Sequence, residues 1–146
     1  MKAKEFISRS FFMAWLLPVM LMILRPSTLA GQEFYLPDSI ENGQKLYNNY
    51  CAACHQVNGQ GIPMAYPPLT IAELVEDNSR MVKSILEGVP GPVELEGVTY
   101  SAPMAALKLT DEQVADILNY VKNSWGNESE RVIYPIQIQA LLLLKE

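Results

Sequence analysis

Ile40, Gly43, Tyr47 and Tyr50 recur close to the helical period, and Asp38 followed by Glu41 has the form of a capping box. A first helix is therefore predicted to run up to Cys51. Thr70 followed by Glu73 repeats the capping pattern ahead of Leu74 and Val75, and Met81, Val82, Ile85 and Leu86 form an apolar stripe ended by Gly88, a natural position for a left-handed helix stop. Two short middle helices fit these signals. Thr110 and Gln113 cap a last helix whose apolar face is Val114, Ile117, Leu118, Val121 and Trp125, with Gly126 just past its end. Between the middle and last helices, residues 89–109 read as loop, with a small hairpin around Glu96-Gly97. Loops of that length in small domains usually carry function or are disordered. No repeat or low-complexity tract interrupts the chain.

Residues 1–30 have another character. Lys2, Lys4 and Arg9 precede an apolar run from Phe11 to Leu24, and Thr28-Leu29-Ala30 supplies a small-residue exit, the pattern of a secretory signal cut after Ala30. The run is shorter than the roughly 20 residues of a spanning helix and contains Pro18, so a retained anchor is the weaker alternative. About 115 residues follow, enough for one domain, 31–127, with a tail at 128–146. A chain of that size buries roughly two thirds of its unfolded surface. From residue 31 onward seven basic residues face fifteen acidic ones, a formal charge of −8. That balance excludes nucleic acid and anionic membrane as partners and suits a partner with a basic docking surface.

Cys51-Ala52-Ala53-Cys54-His55 carries the chemistry. C-x-x-C-H is the attachment signature of a c-type haem: two thiols one helical turn apart each add to a vinyl group, and the adjoining imidazole faces the iron. A structural zinc site needs four ligands, yet the chain has two cysteines and one histidine. A thioredoxin-like dithiol needs a βαβ setting that the flanks do not offer, and a plain disulfide has no use for His55. Iron held by one histidine needs a group on its other face, and a thioether there raises the potential and suits electron transfer. Met104, 49 residues after His55 in the long loop, is far enough along the chain to return on the distal side. Met64 follows His55 by nine residues and is read as packing, and Met81, inside a predicted helix, as core.

With these residues the chain resembles a class I cytochrome c, most closely the short bacterial single-haem domains. The likeness covers residues 38–127 through Cys51 to His55, Asn58-Gly59-Gln60-Gly61-Ile62-Pro63, Tyr66-Pro67-Pro68-Leu69, Leu86-Glu87-Gly88, Gly91-Pro92, Gly97, Tyr100, Met104 and Asn123-Ser124-Trp125-Gly126-Asn127. The resemblance implies an all-α cytochrome c fold of short helices wrapped on one covalent haem c. It implies that the first and last helices cross, with Gly43 and Tyr47 near Leu118 to Tyr120, and that the Pro67 carbonyl accepts from the His55 ring. Relatives often place Pro directly after the ligand Met, whereas here Ala105 follows and Pro103 precedes. The tail from Arg131 through four leucines is outside the family pattern and reads either as a back-packed terminus or as a docking segment.

The expected function is one-electron transfer rather than enzymatic catalysis. His55 and Met104 are the expected iron ligands, Cys51 and Cys54 the thioether links, and Pro67 the support of His55. The expected setting is periplasmic, in a respiratory chain with redox protein partners, as a monomer or a complex subunit that touches membrane only through an uncleaved N-terminal segment. Two alternatives stand beside it. One is a fixed haem subunit of a dehydrogenase, nitrite reductase or terminal oxidase complex; the other is a ligand-binding or peroxide-processing haem protein with a displaceable Met104.

Overall fold

The computed structural model describes residues 34–129 and 131–144; the expected signal segment at 1–30 lies outside them. The described chain is mostly helical with one two-stranded sheet. Helix α1 runs Leu36–Tyr50 and passes at Cys51 into a single turn, α2, Ala52–His55. The middle helices are α3, Ala72–Val75, and α4, Asn78–Leu86. Strands β1, Val93–Leu95, and β2, Val98–Tyr100, precede α5, Asp111–Lys122, and a 3₁₀ turn at Pro135–Gln137 leads into α6, Ile138–Leu143. No helix of the described residues is long and apolar enough to cross a membrane.

Two of the three expected capping boxes do not form. Pro37 lies in the first turn of α1, where its missing N–H is harmless and its fixed φ starts the helix early. Asp38 then sits inside the first turn, and Glu41 pairs with Lys45 at 2.7 Å instead of reaching back. Ile71, not Thr70, precedes α3, and Glu73 is drawn away to Arg80 Nη1 at 3.2 Å and the Glu96 N–H at 3.0 Å. At α5 the predicted box is present: Thr110 Oγ1 accepts from the Gln113 N–H at 3.3 Å, and Gln113 Oε1 from the Thr110 N–H at 3.0 Å. This helix stops at Lys122, short of the expected Trp125. Side-chain amides take its last carbonyls, Asn123 that of Asn119 and Asn127 that of Val121, both at 2.8 Å, and the chain turns away. Trp125, at φ +56°, folds back to pack tilted against Tyr47 and edge-on against Tyr120, with centroids 5.0 and 5.4 Å apart.

Helices α1 and α5 cross in close contact, and Gly43 sets how near they come. A Cβ there would run into the Asp116 carbonyl and lie 2.8 Å from Tyr120 Cβ, so the crossing begins at Asp116, ahead of Leu118 on α5. Tyr47, fully buried, completes it. Beside the crossing lies a buried polar chain. The Ser39 hydroxyl donates to Asp116, and Asn119 Nδ2 donates to Ser39 Oγ at 3.0 Å and to the Ile133 carbonyl at 2.9 Å. The Ile133 N–H donates back to Asn119 Oδ1 at 2.9 Å.

That exchange ties the tail down. Ile133 and Ile138 are buried in the common core, Ser79 donates to the Leu141 carbonyl at 2.7 Å, and Gln139 to Asp111 at 2.7 Å. Residues 131–144 thus pack back onto the domain, while Ile136 and Leu143 stay exposed. The hairpin is where its turn signal put it, with Val93 opposite Tyr100 and Leu95 opposite Val98. Glu96 and Gly97 both take positive φ, 48° and 77°, which a two-residue turn of this twist requires. Leu95 and Tyr100 point inward.

Candidate functional site

The junction of α1 and α2 presents the motif. The Cys51 N–H donates to the Tyr47 carbonyl at 2.8 Å and the His55 N–H to the Cys51 carbonyl at 2.9 Å, so the helical path is barely interrupted and Cys51 and His55 share one face, four residues apart. Both face a cavity of about 380 Å³, a size typical of small-molecule and cofactor sites. Cys51 is buried, Cys54 partly exposed, and both thiols are free. Burial, with the neighbouring Cys54 second, pushes the Cys51 thiol up to about 11. A redox dithiol works through a depressed thiol pKa, and Cys51 has the opposite.

The loop after His55 turns back to place Pro67. Ile62 and Tyr66 exchange backbone hydrogen bonds at 2.9 Å, and the Leu69 N–H donates to the Gly59 carbonyl at 2.8 Å. The Pro67 carbonyl then lies 3.0 Å from His55 Nδ1. A carbonyl only accepts, so Nδ1 carries the proton and the Nε2 lone pair is left for another partner. Burial lowers the His55 pKa, outweighing the opposing effect of the Pro67 bond, and this favours the neutral ring.

Leu69, Leu74, Ile85, Leu118 and Val121 give the cavity its apolar wall, and Met104 reaches it from the long loop. The backbone holds Met104 in place. Its N–H donates to the Val89 carbonyl at 2.9 Å, its carbonyl accepts from the Val89 N–H at 2.8 Å, and the Leu107 N–H donates to the Ile85 carbonyl at 2.8 Å. Gly88, at φ +77°, lets the two segments meet, since a Cβ would come within 2.6 Å of the Met104 carbonyl and 2.8 Å of the Ala106 nitrogen. Met64 turns its side chain to solvent, 70 % exposed, and Met81 is buried in the core, where it also lines the cavity.

Thus Cys51, His55, Pro67 and Met104 all border one space, with Cys54 one turn away. Sequence reasoning missed two cationic side chains on that border, Arg80 and Lys83, three apart on α4 and flanking Met81. Their spacing places them with the stripe that was read only for its apolar members. The residues fit a covalently held haem: free thiols within a turn of a neutral, oriented imidazole, an apolar enclosure, and cations at its border for a group that carries carboxylates.

Comparison with known proteins agrees. The family model for cytochrome c matches residues 40–125. A cytochrome c-552 of Thermus thermophilus is 40% identical over 92 residues, covering 59% of this chain and 70% of the relative. The gluconate 2-dehydrogenase cytochrome c subunit of Pantoea cypripedii is 28% identical over 111 residues, 71% of this chain but 24% of that subunit. The cytochrome subunit of fructose dehydrogenase from Gluconobacter japonicus is 32% identical over 97 residues, so the chain spans only 20% of that relative's length. With its motif, its crossing helices and this match over more than half its length, the chain belongs to the cytochrome c family, as an electron-carrying domain with covalent haem c, and Cys51 and Cys54 fit the family's attachment motif.

Proposed function

We propose that the chain is a one-electron shuttle in which His55 and Met104 are the two axial ligands of the haem iron, working outside the cytoplasmic membrane between redox proteins. When bound, haem c supplies the ferric/ferrous couple. The observation that carries the reading is the pair of backbone supports at one cavity: Pro67 fixing the His55 ring, and Val89 fixing Met104. Each support holds a candidate ligand residue at the border of the same cavity. Pro67 holds the imidazole in the tautomer that frees Nε2 and raises its basicity. The Met104 thioether favours the reduced state and raises the potential. With both positions filled by the chain there is no place for a substrate, which is why carriage rather than catalysis is proposed. Cys51 and Cys54 prevent loss of the haem in a dilute extracytoplasmic space.

The −8 charge beyond residue 30 favours donors and acceptors with basic docking faces, meeting the chain in small, short-lived contacts. The signal-like segment at 1–30 and the cysteine chemistry support export to the periplasm. A second reading, a fixed subunit of an oxidoreductase complex, is favoured by the relatives whose names make them cytochrome subunits of dehydrogenases. Size-exclusion of native membranes and periplasm separates the two readings.

The deciding experiment is the absorption spectrum of haem-loaded protein, oxidised and reduced, with and without carbon monoxide. The expected result is a low-spin spectrum with a thioether-to-ferric band that Met104→Ala abolishes and no carbon monoxide binding by the parent. A high-spin spectrum, or prompt carbon monoxide binding by the parent, refutes the ligand pair and turns the site into one for a small exchangeable ligand.

A further inference from the structure

Met64 is exposed, yet its backbone is in the left-handed region at φ +57°, which L side chains adopt only at a cost. Such an outlier persists where surrounding contacts over-determine it. Here the turn closed by Ile62 and Tyr66 is one such contact, and the Met64 carbonyl makes the other. The Ser101 N–H donates to it at 2.9 Å and the Ser101 hydroxyl at 3.0 Å, while the Ala102 N–H donates to the neighbouring Ala65 carbonyl at 3.1 Å. Ser101 stands three residues before Met104, and Met64 three residues before Pro67. The loop that carries the support of His55 therefore also holds the segment that delivers Met104.

We propose that Ser101 is a positioning residue. With the Met64 carbonyl it forms a latch that holds the start of the Met104 loop closed, opposite the Val89 bridge that holds its other side. This rests on the reading of Met104 as an iron ligand. Displacement of the thioether by an outside ligand requires the loop to lift, and lifting must break the latch. Loss of the hydroxyl therefore speeds displacement, even though the residue does not line the cavity.

The test uses full-length haem-loaded protein: parent, Ser101→Ala and Ser101→Thr. Imidazole is mixed with the ferric form and the decay of the thioether band is followed, with thermal midpoints measured in parallel. Ser101→Ala is expected to accelerate displacement roughly threefold, the worth of one exposed hydrogen bond, and Ser101→Thr, which keeps the hydroxyl, to restore the parent rate. A role in general stability would lower the midpoint and leave displacement unchanged. Ser101→Ala reacting at the parent rate, or Ser101→Thr reacting as fast as Ser101→Ala, overturns the latch. A parent without the thioether band removes the ligand reading itself, and the latch with it.

Discussion

Replacing Asn119 by Leu tests what holds the tail. Asn119 is fully buried, and its amide mimics a strand partner by donating to the Ile133 carbonyl and accepting from the Ile133 N–H, each at 2.9 Å. Leucine restores the apolar volume, so the cavity penalty is small, but it leaves both backbone groups unpaired. If the segment stays down, two buried groups at about 1–3 kcal/mol each are left unsatisfied, about 2–6 kcal/mol together. If it lifts off, both groups are hydrated but Ile133 and Ile138 lose burial, at about 1.5–3 kcal/mol each. The protein takes the cheaper course, so the loss is about 2–6 kcal/mol. Urea unfolding of the haem-loaded protein, followed by circular dichroism, measures it. Limited proteolysis with mass spectrometry distinguishes the two courses, because lift-off exposes cleavage sites within 131–144 that the parent protects. A loss under about 0.5 kcal/mol together with an unchanged cleavage pattern would show that the tail docks through its apolar residues alone.

Three further outcomes follow from the same contacts. Gly43→Ala puts a methyl against the Asp116 carbonyl, a backbone atom that cannot rotate away; overpacking less the gain in helix propensity gives a loss of about 2 kcal/mol, read as a lower thermal midpoint. Burial, with Glu112 adding to it and the Ser39 hydrogen bond opposing it, holds the Asp116 carboxyl above its usual 3.8. The folded chain thus keeps a proton that the unfolded chain releases, and stability falls as pH rises from 3.8 through the folded pKa. Asp116→Asn, which still accepts from Ser39, is expected to flatten that part of a urea-midpoint curve. Glu73→Ala frees Arg80 and the Glu96 N–H on an exposed surface, so the stability change stays below about 1 kcal/mol while hydrogen exchange at the Glu96 amide accelerates.

Some local signals survived the passage from sequence to structure, and competing starts or partners, near or far, explain those that did not. Thr110 with Gln113 as a cap and Glu96-Gly97 as a turn each act within four residues, so nothing distant decides them. Thr70 with Glu73 has the same form as the box at Thr110, but Glu73 has better partners in Arg80 and the hairpin turn, the latter 23 residues away. The early start of α1 was readable from Pro37, a stronger boundary mark than a capping pair inside the first turn. Trp125 kept the helical spacing of its face but not the helix. Its partial burial comes from aromatic contacts made after the chain has turned, which periodicity does not distinguish from one more helical turn.

The site shows the same division more sharply. Cys51, Cys54, His55 and Met104, the residues proposed to hold the haem, are legible because their side-chain types suit that chemistry. What positions them is almost entirely carbonyl oxygen: Pro67 for His55, Val89 for Met104, Met64 for the segment ahead of Met104. Every residue has a carbonyl, so the sequence does not mark which ones matter. It marks only the backbone shapes that aim them, and then only where the residue type is restricted. Gly88 is such a mark, because a Cβ there would strike the Met104 segment. Met64 is the opposite case, an ordinary residue in a glycine-like conformation, whose importance is invisible until the carbonyl it turns is seen to hold Ser101. In these loops, tolerance to substitution should therefore follow whether the new residue can keep φ and ψ rather than how closely its side chain resembles the old one.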